Sequence, residues 1–123
     1  MTNLDFWGIL KNSPKEKTIY ISGAIKGLDR EVARKRFKET ADLWQDQGWI
    51  VVNPFDIPKE IDAPQNDDDY YYHLTIDVRA LTYCGAIALI PGWTKSNGAT
   101  LEFDIARRLK LKLFNAETFK QFG

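Results

Sequence analysis

The sequence has 123 residues, 44% hydrophobic and 28% charged, as in ordinary globular proteins. Lys plus Arg and Asp plus Glu both number 17, so the net charge is zero and a nucleic-acid polymer is not an expected partner. No apolar run approaches the roughly 20 residues that span a bilayer, and the first residues lack a signal-peptide pattern. Cys84 is the only cysteine. We therefore expect one cytoplasmic domain over residues 1–123, without disulfide or membrane contact.

The first half of the chain predicts a strand, a helix and a second strand, over residues 18–22, 29–47 and 49–52. Asp29 is a suitable N-cap for the helix, and Gly48 a suitable stop. Residues 1–16 are predicted to pack onto the core as a strap, with a short helix as its expected form, through Phe6, Trp7 and Leu10. Apolar residues recur along the predicted helix at spacings of three and four, which indicates a buried face: Val32, Ala33, Phe37, Ala41 and Trp44.

The second half predicts a long loop followed by alternating helices and strands. The loop covers 55–69 and is rich in proline and aspartate. A helix over 70–83, a central strand over 85–90, a helix over 99–109 and a last strand over 111–114 follow. Nearly continuous apolar strands separated by helices favour a parallel sheet covered on both faces. The predicted fold is an α/β, three-layer, Rossmann-like (flavodoxin-like) domain with a parallel sheet of four to five strands.

Ligands of such sheets bind beyond the carboxyl ends of the strands. The loop after the first strand contains two glycines, a serine hydroxyl and a lysine ammonium. Its exposed backbone amides and the ammonium would attract a phosphate. The alternative is that these glycines only make the turn. The residues concerned are Ser22, Gly23, Ala24, Ile25, Lys26 and Gly27.

Two carboxylates are candidates for chemistry. Glu102 lies near the start of a helix, where the helix dipole favours its ionised form, although a solvated helical glutamate is the plainer interpretation. Asp77 has apolar neighbours on its helix, and paired carboxylates suit glycosidic chemistry. The alternative interpretation of Asp77 is a surface aspartate that pairs with Arg79, Lys26 or a similar cation. Before Glu102, Ser96 and Asn97 are candidate helix caps.

Aromatic residues offer further candidates. Trp93 could stack on a base or simply cover the edge of the core. The tyrosines at 70–72 could line a cleft, but we favour a subunit interface. His73 has no second histidine or cysteine nearby, so no metal or other cofactor is implied, and Cys84 is expected to be a buried apolar residue.

Taken together, four segments carry a family resemblance: 19–27, 77–81, 86–93 and 96–102. In this order they resemble the nucleoside 2-deoxyribosyltransferase-like superfamily, and within it the DUF4406 branch, related to 2′-deoxynucleoside 5′-phosphate N-hydrolase. The resemblance covers 18–114 and implies a Rossmann-like fold. It also implies cleavage or transfer at the N-glycosidic bond of a deoxynucleoside or its 5′-monophosphate.

The resemblance also implies roles for individual residues. Glu102 matches the nucleophile of a G-x-x-x-E pattern that begins at Gly98, and Asp77 matches the aspartate beside the leaving base. Ser96 falls where the hydrolase branch has a serine beside the phosphate. Gly23, Lys26 and Gly27 match that branch's phosphate loop, with Lys26 in place of its arginine.

The chain departs from this pattern at two positions, and its function has more than one interpretation. Ala24 replaces a serine of the phosphate loop, and Gly85 stands where relatives often carry aspartate. The family commonly shares its site between subunits, which together with the tyrosines predicts a homodimer or higher homo-oligomer. A glycosidase or transferase is the expected function, because both Asp77 and Glu102 are present. The alternatives are an inactive nucleotide-sensing module and, less favoured, a structural protein.

Overall fold

The computed structural model describes the backbone of residues 3–123 and the side chains from Asp5 onward. Met1 and Thr2 of the predicted strap lie outside the described residues. The helices described are α1 (Asn3–Lys11), α2 (Arg30–Asp46), α3 (Asp67–Leu81) and α4 (Asn97–Arg108). The strands described are β1 (Thr18–Ser22), β2 (Ile50–Val52), β3 (Ala86–Leu89), β4 (Lys112–Asn115) and β5 (Gln121–Phe122).

The strands form one mostly parallel sheet. Its order over the described residues is β2-β1-β3-β4-β5, which is the flavodoxin-like order. β1 pairs parallel with β2 and β3, β3 pairs parallel with β4, and β5 is antiparallel to β4. The prediction of a three-layer Rossmann-like fold with a central 85–90 strand is confirmed.

Successive side chains of β1 point to opposite faces of the sheet, and helices cover each face. Ile19 and Ile21 point to α2, whereas Tyr20 lies in the core shared by α1, α3 and α4. Every β1 residue is buried, as expected for an inner strand covered on both faces. Ser22 follows Tyr20 by two residues and therefore shares its face, which directs both hydroxyls towards α4.

The helix starts differ from the predicted ones because of capping. α3 begins at Asp67, not at residue 70, since the Asn66 side chain accepts a hydrogen bond from Asp69 N at 2.9 Å. The acidic cluster assigned to the loop is thus the first turn of α3, where the helix dipole favours carboxylates. On α2, Val32 was wrongly assigned to the buried face and is 65% exposed, because the buried face runs through Ala33 and Phe37.

Two terminal features complete the fold. The predicted strap is helical over α1, and Phe6, Trp7 and Leu10 pack against the core. The segment that follows α1 passes so close to Gly85 that a Cβ there would lie 2.3 Å from the carbonyl oxygen of Lys15. β5 was not predicted, because two residues are too short to show a period.

Candidate active site

A cavity of about 400 Å³ opens at the carboxyl end of β1, between the sheet and the irregular segments that follow β1 and β2. This volume lies in the range of small-molecule sites. Both predicted carboxylates, Asp77 of α3 and Glu102 of α4, line it. The position agrees with the rule that ligands of open parallel sheets bind beyond the strand ends.

Glu102 is fixed by two hydroxyl groups of β1. Tyr20 Oη donates to Glu102 Oε2 at 2.5 Å, and Ser22 Oγ donates to Glu102 Oε1 at 2.8 Å. The side chain is only 5% exposed. Burial, helped by the charges of Asp77 and Glu102, raises the pKa of Tyr20 well above 10, so its phenol stays protonated and keeps donating. The carboxylate is therefore oriented by donors on both of its oxygens.

The expectation that Glu102 is solvated and ionised at neutral pH was wrong. Burial first, and then the neighbouring charge of Asp77, raise the pKa of Glu102 to about 8. The hydrogen bonds from Tyr20 and Ser22 act in the opposite direction but do not compensate. Burial therefore favours the protonated form of Glu102 near neutral pH.

Asp77 is buried, with 8% of the whole residue exposed. It pairs with a lysine that the sequence did not indicate. Lys59 Nζ lies 2.9 Å from Asp77 Oδ1 and donates to the carbonyl oxygen of Pro54 at 2.6 Å. The expected partners Arg79 and Lys26 do not form this pair. Burial raises the pKa of Asp77 to about 6, while Lys59 and Arg30 lower it. The charge of Asp77 contributes to the raised pKa of Glu102, so the two carboxyl groups titrate as an interacting pair.

The loop after β1 lines the cavity through Gly23, Ile25, Lys26 and Gly27. Lys26 Nζ lies 3.3 Å from Asp67 Oδ1 and 4.3 Å from the centroid of the Tyr70 ring, so its ammonium already has partners. Gly27 has a φ of +86° and is needed for the turn. A Cβ at Gly23 would lie 3.0 Å from Ile90, so packing also requires this glycine.

The loop before α4 contributes part of what was expected. Ser96 and Gly98 line the cavity, and Ser96 Oγ caps α4 by accepting from Ala99 N at 3.2 Å. Trp93 packs on Phe103 with ring centroids 4.7 Å apart and covers the core edge, so base stacking in this cavity is not supported. Among the described residues, the lining does not include Asn97, Ala24 or Ser22. Ser22 acts through Glu102 instead.

The tyrosine segment is divided between different surroundings. Tyr70 lines the cavity, Tyr71 is 57% exposed, and Tyr72 Oη accepts from Glu60 N at 3.2 Å. His73 also lines the cavity, and its Nε2 donates to the carbonyl oxygen of Ile61 at 2.5 Å. Burial lowers the pKa of His73, so the ring is neutral at pH 7.

Other chemistries find less support in the described part of the chain. Among these residues, no cluster of three or more His, Cys, Asp or Glu side chains could hold a metal ion. Burial raises the pKa of the Cys84 thiol to about 12, so this cysteine is a core residue and not a nucleophile. Within the same residues, each helix is too short or too polar to cross a membrane.

Sequence reasoning missed Tyr20 and Lys59 as site residues. For Tyr20 a signal existed, because hydroxyl residues alternate with isoleucines along residues 18–22, so Tyr20 shares one face with Thr18 and Ser22. For Lys59 none existed, because it lies in an irregular segment without periodicity.

The fold and the cavity define a flavodoxin-like α/β domain with a carboxyl pair at the ends of its parallel strands. The chain belongs to the DUF4406 family, described as a domain of unknown function, whose sequence profile matches residues 17–115. Comparison with curated proteins and comparison with solved structures both gave no match.

Proposed function

We propose that this protein cleaves or transfers at the N-glycosidic bond of a deoxynucleoside or its 5′-monophosphate, with Glu102 as nucleophile. The observation that carries the proposal is the buried carboxyl pair. Glu102, held through both oxygens by Tyr20 and Ser22, shares one cavity with Asp77. Two carboxyl groups with different surroundings in one cavity are the arrangement used in glycosidic chemistry. The resemblance to nucleoside deoxyribosyltransferases supports the same assignment.

The proposed reaction has two steps. An oxygen of the Glu102 carboxylate bonds to the anomeric carbon while the carbon–nitrogen bond breaks, and the departing base takes both bonding electrons and a proton from Asp77. The resulting glycosyl ester is then displaced from Glu102 by water, which gives its proton back to Asp77, or by a second base. The active form therefore carries one proton on the pair, located on Asp77 during attack.

The charges of the cavity favour a phosphorylated substrate. The lining carries three cations and three carboxyl groups, and burial raises the pKa of two of these carboxyl groups, which shifts the charge of the cavity towards positive. A net positive cavity favours a 5′-monophosphate over a free nucleoside. Lys26 and Ser96 remain the proposed phosphate contacts, with Asp67 as the group that the phosphate would displace from Lys26. The charged or carboxyl-bearing lining residues are Lys26, Arg30, Lys59, Asp67, Asp77 and Glu102.

The test is incubation with a panel of deoxynucleosides and their monophosphates, followed by measurement of free base. A 2-fluoro sugar analogue should add its glycosyl mass to Glu102, and release with or without an added acceptor base distinguishes transferase from hydrolase. If nucleotides bind but none is cleaved, the protein is an inactive nucleotide-binding module instead.

We also infer a homodimer or higher homo-oligomer in the cytoplasm. The exposed ring of Tyr71 and the buried free thiol of Cys84 support these two inferences. Sedimentation at micromolar concentration should give a mass of at least twice 14.2 kDa. A species of 14.2 kDa alone would contradict the dimer.

A further inference from the structure

The segment between β2 and α3 forms one wall of the cavity and is held there by consecutive anchors. Glu60 N donates to Tyr72 Oη, and the carbonyl oxygen of Ile61 accepts from His73 Nε2. The next carbonyl, that of Asp62, accepts from Arg30 Nη2 at 2.9 Å. Residues 60–62 are therefore tied to α2 and α3, which fixes the position of the residue before them, Lys59.

The Lys59 ammonium is buried and directed at one carboxyl group. The Lys59 and Asp77 side chains are 8% and 12% exposed, whereas every other ion pair within the described chain joins side chains at least 38% exposed. Burying an ammonium is costly unless it is paired, and Lys59 Nζ donates a hydrogen bond to Pro54 O and forms an ion pair with Asp77 Oδ1, an atom that accepts no hydrogen bond within the described residues. Surface pairs of this chain contribute little, but this pair sits at the proposed reaction centre.

We propose that Lys59 is a positioning residue for the carboxyl pair, which holds and orients Asp77 through their buried ion pair. This inference rests on the proposed function. Burial alone would keep the Asp77 carboxyl protonated, and the neighbouring ammonium opposes this effect. An acid that must give up and retake a proton in one cycle works best when its pKa lies near the working pH. The titratable groups that interact with Asp77 are Tyr20, Arg30, Lys59, Tyr70 and Glu102, and His73 lines the same cavity.

The experiment follows the carboxyl carbons of Asp77 and Glu102 by ¹³C NMR in the ligand-free protein as pH is varied. In Lys59→Met, loss of the cation should move the titration of the pair to higher pH by about one unit or more. Lys59→Arg, which keeps the charge, should titrate near the wild type. The matched control is Lys35→Met, which removes a 79% exposed surface lysine paired with Glu39 and should leave the titration unchanged. A folded Lys59→Met protein that titrates like the wild type would overturn the proposal.

A second measurement does not depend on a variant that folds. In the wild type, the ¹⁵N shift of Lys59 Nζ should change in a step at the pH where Asp77 titrates, and the absence of that step would also overturn the proposal. Both measurements are made without substrate, so they are independent of the proposed reaction. If base release is observed, both limbs of its pH profile should move alkaline in Lys59→Met by the same interval as the carboxyl titration.

Discussion

On one side of the cavity, which we call the sheet side, Tyr20 and Ser22 project from one strand to Glu102 on a packed helix. On the other, the loop side, Lys26 and Lys59 come from irregular segments after β1 and β2. The sheet side fixes the nucleophile candidate through regular geometry, since strand alternation alone directs both hydroxyls to one face. The loop side brings the cations, whose positions depend on individual anchors. Orientation and charge are thus supplied by different parts of the fold, and variants can separate them.

The largest effect is expected from removing the sheet-side carboxyl. Glu102→Ala should lower base release by at least about 10³-fold, because it removes the proposed nucleophile and Asp77 is assigned to the proton transfer. The Ala variant also leaves the Tyr20 and Ser22 hydroxyls without their acceptor, which costs roughly 1–3 kcal/mol of stability. Glu102→Gln keeps the shape and should be equally inactive. The measurement is a steady-state assay of both variants, with the surface variant Glu39→Ala as the control. Full turnover by Glu102→Ala would exclude Glu102 as the nucleophile.

The same group should make stability depend on pH. The folded protein keeps a proton on Glu102 up to about pH 8, whereas the unfolded chain loses it near the ordinary value of 4.5. Between these limits the unfolded state binds fewer protons, so the free energy of unfolding falls as pH rises, by up to about 1.4 kcal/mol per pH unit. Glu102→Gln should remove the part of this fall above about pH 6, whereas Asp77, whose pKa is raised to about 6, contributes a fall of its own below it. Urea denaturation at pH 5 and pH 8 measures the change in the free energy of unfolding between these two pH values. An equal change in the wild type and in Glu102→Gln would contradict the buried, protonated carboxyl.

Asp77 joins the two sides, because it belongs to a helix but pairs with loop-side Lys59. Wild-type base release should show a bell-shaped pH profile with limbs near 6 and 8, since the active pair carries one proton. Asp77→Asn should reduce the rate by about 10²-fold or more and keep nucleotide affinity. Rate–pH profiles and calorimetry test this, and a variant that loses affinity but not turnover would place Asp77 in binding instead.

The smallest effect is expected on the loop side. Lys26→Ala should weaken binding of a 5′-monophosphate about tenfold and leave a free nucleoside nearly unchanged, since a charge-assisted hydrogen bond is worth about 1.5–3 kcal/mol. Asp67→Asn removes the ion-pair partner of Lys26 and should therefore strengthen binding of the 5′-monophosphate. Calorimetry with both ligands measures the difference. Equal losses for nucleoside and monophosphate in Lys26→Ala would remove the phosphate assignment.

The same division explains what could be predicted from the sequence. The bounds of β1 and the central position of β3 follow from apolar runs, and a parallel sheet then requires that the strand-end loops and Glu102 meet. The ionisation of Glu102 was misjudged because helix position was considered without burial. Lys59 could not be found, since its place depends on the anchors at residues 60–62, which join segments distant in sequence. β5 depends on a turn in which Asn115 Oδ1 accepts from Glu117 N and Thr118 N.

The close approach of Lys15 to Gly85 has a consequence for the divergence of the family. A side chain at position 85 cannot coexist with the present path of the 14–17 segment, because its Cβ would meet a backbone carbonyl. Gly85 precedes β3, at the end of the sheet away from the cavity, so this difference leaves the carboxyl pair untouched. In homologues, the residue at position 85 should therefore vary together with the path of the amino-terminal segment. Glycine is expected where this segment crosses the start of the central strand, and a larger residue where the segment follows another path.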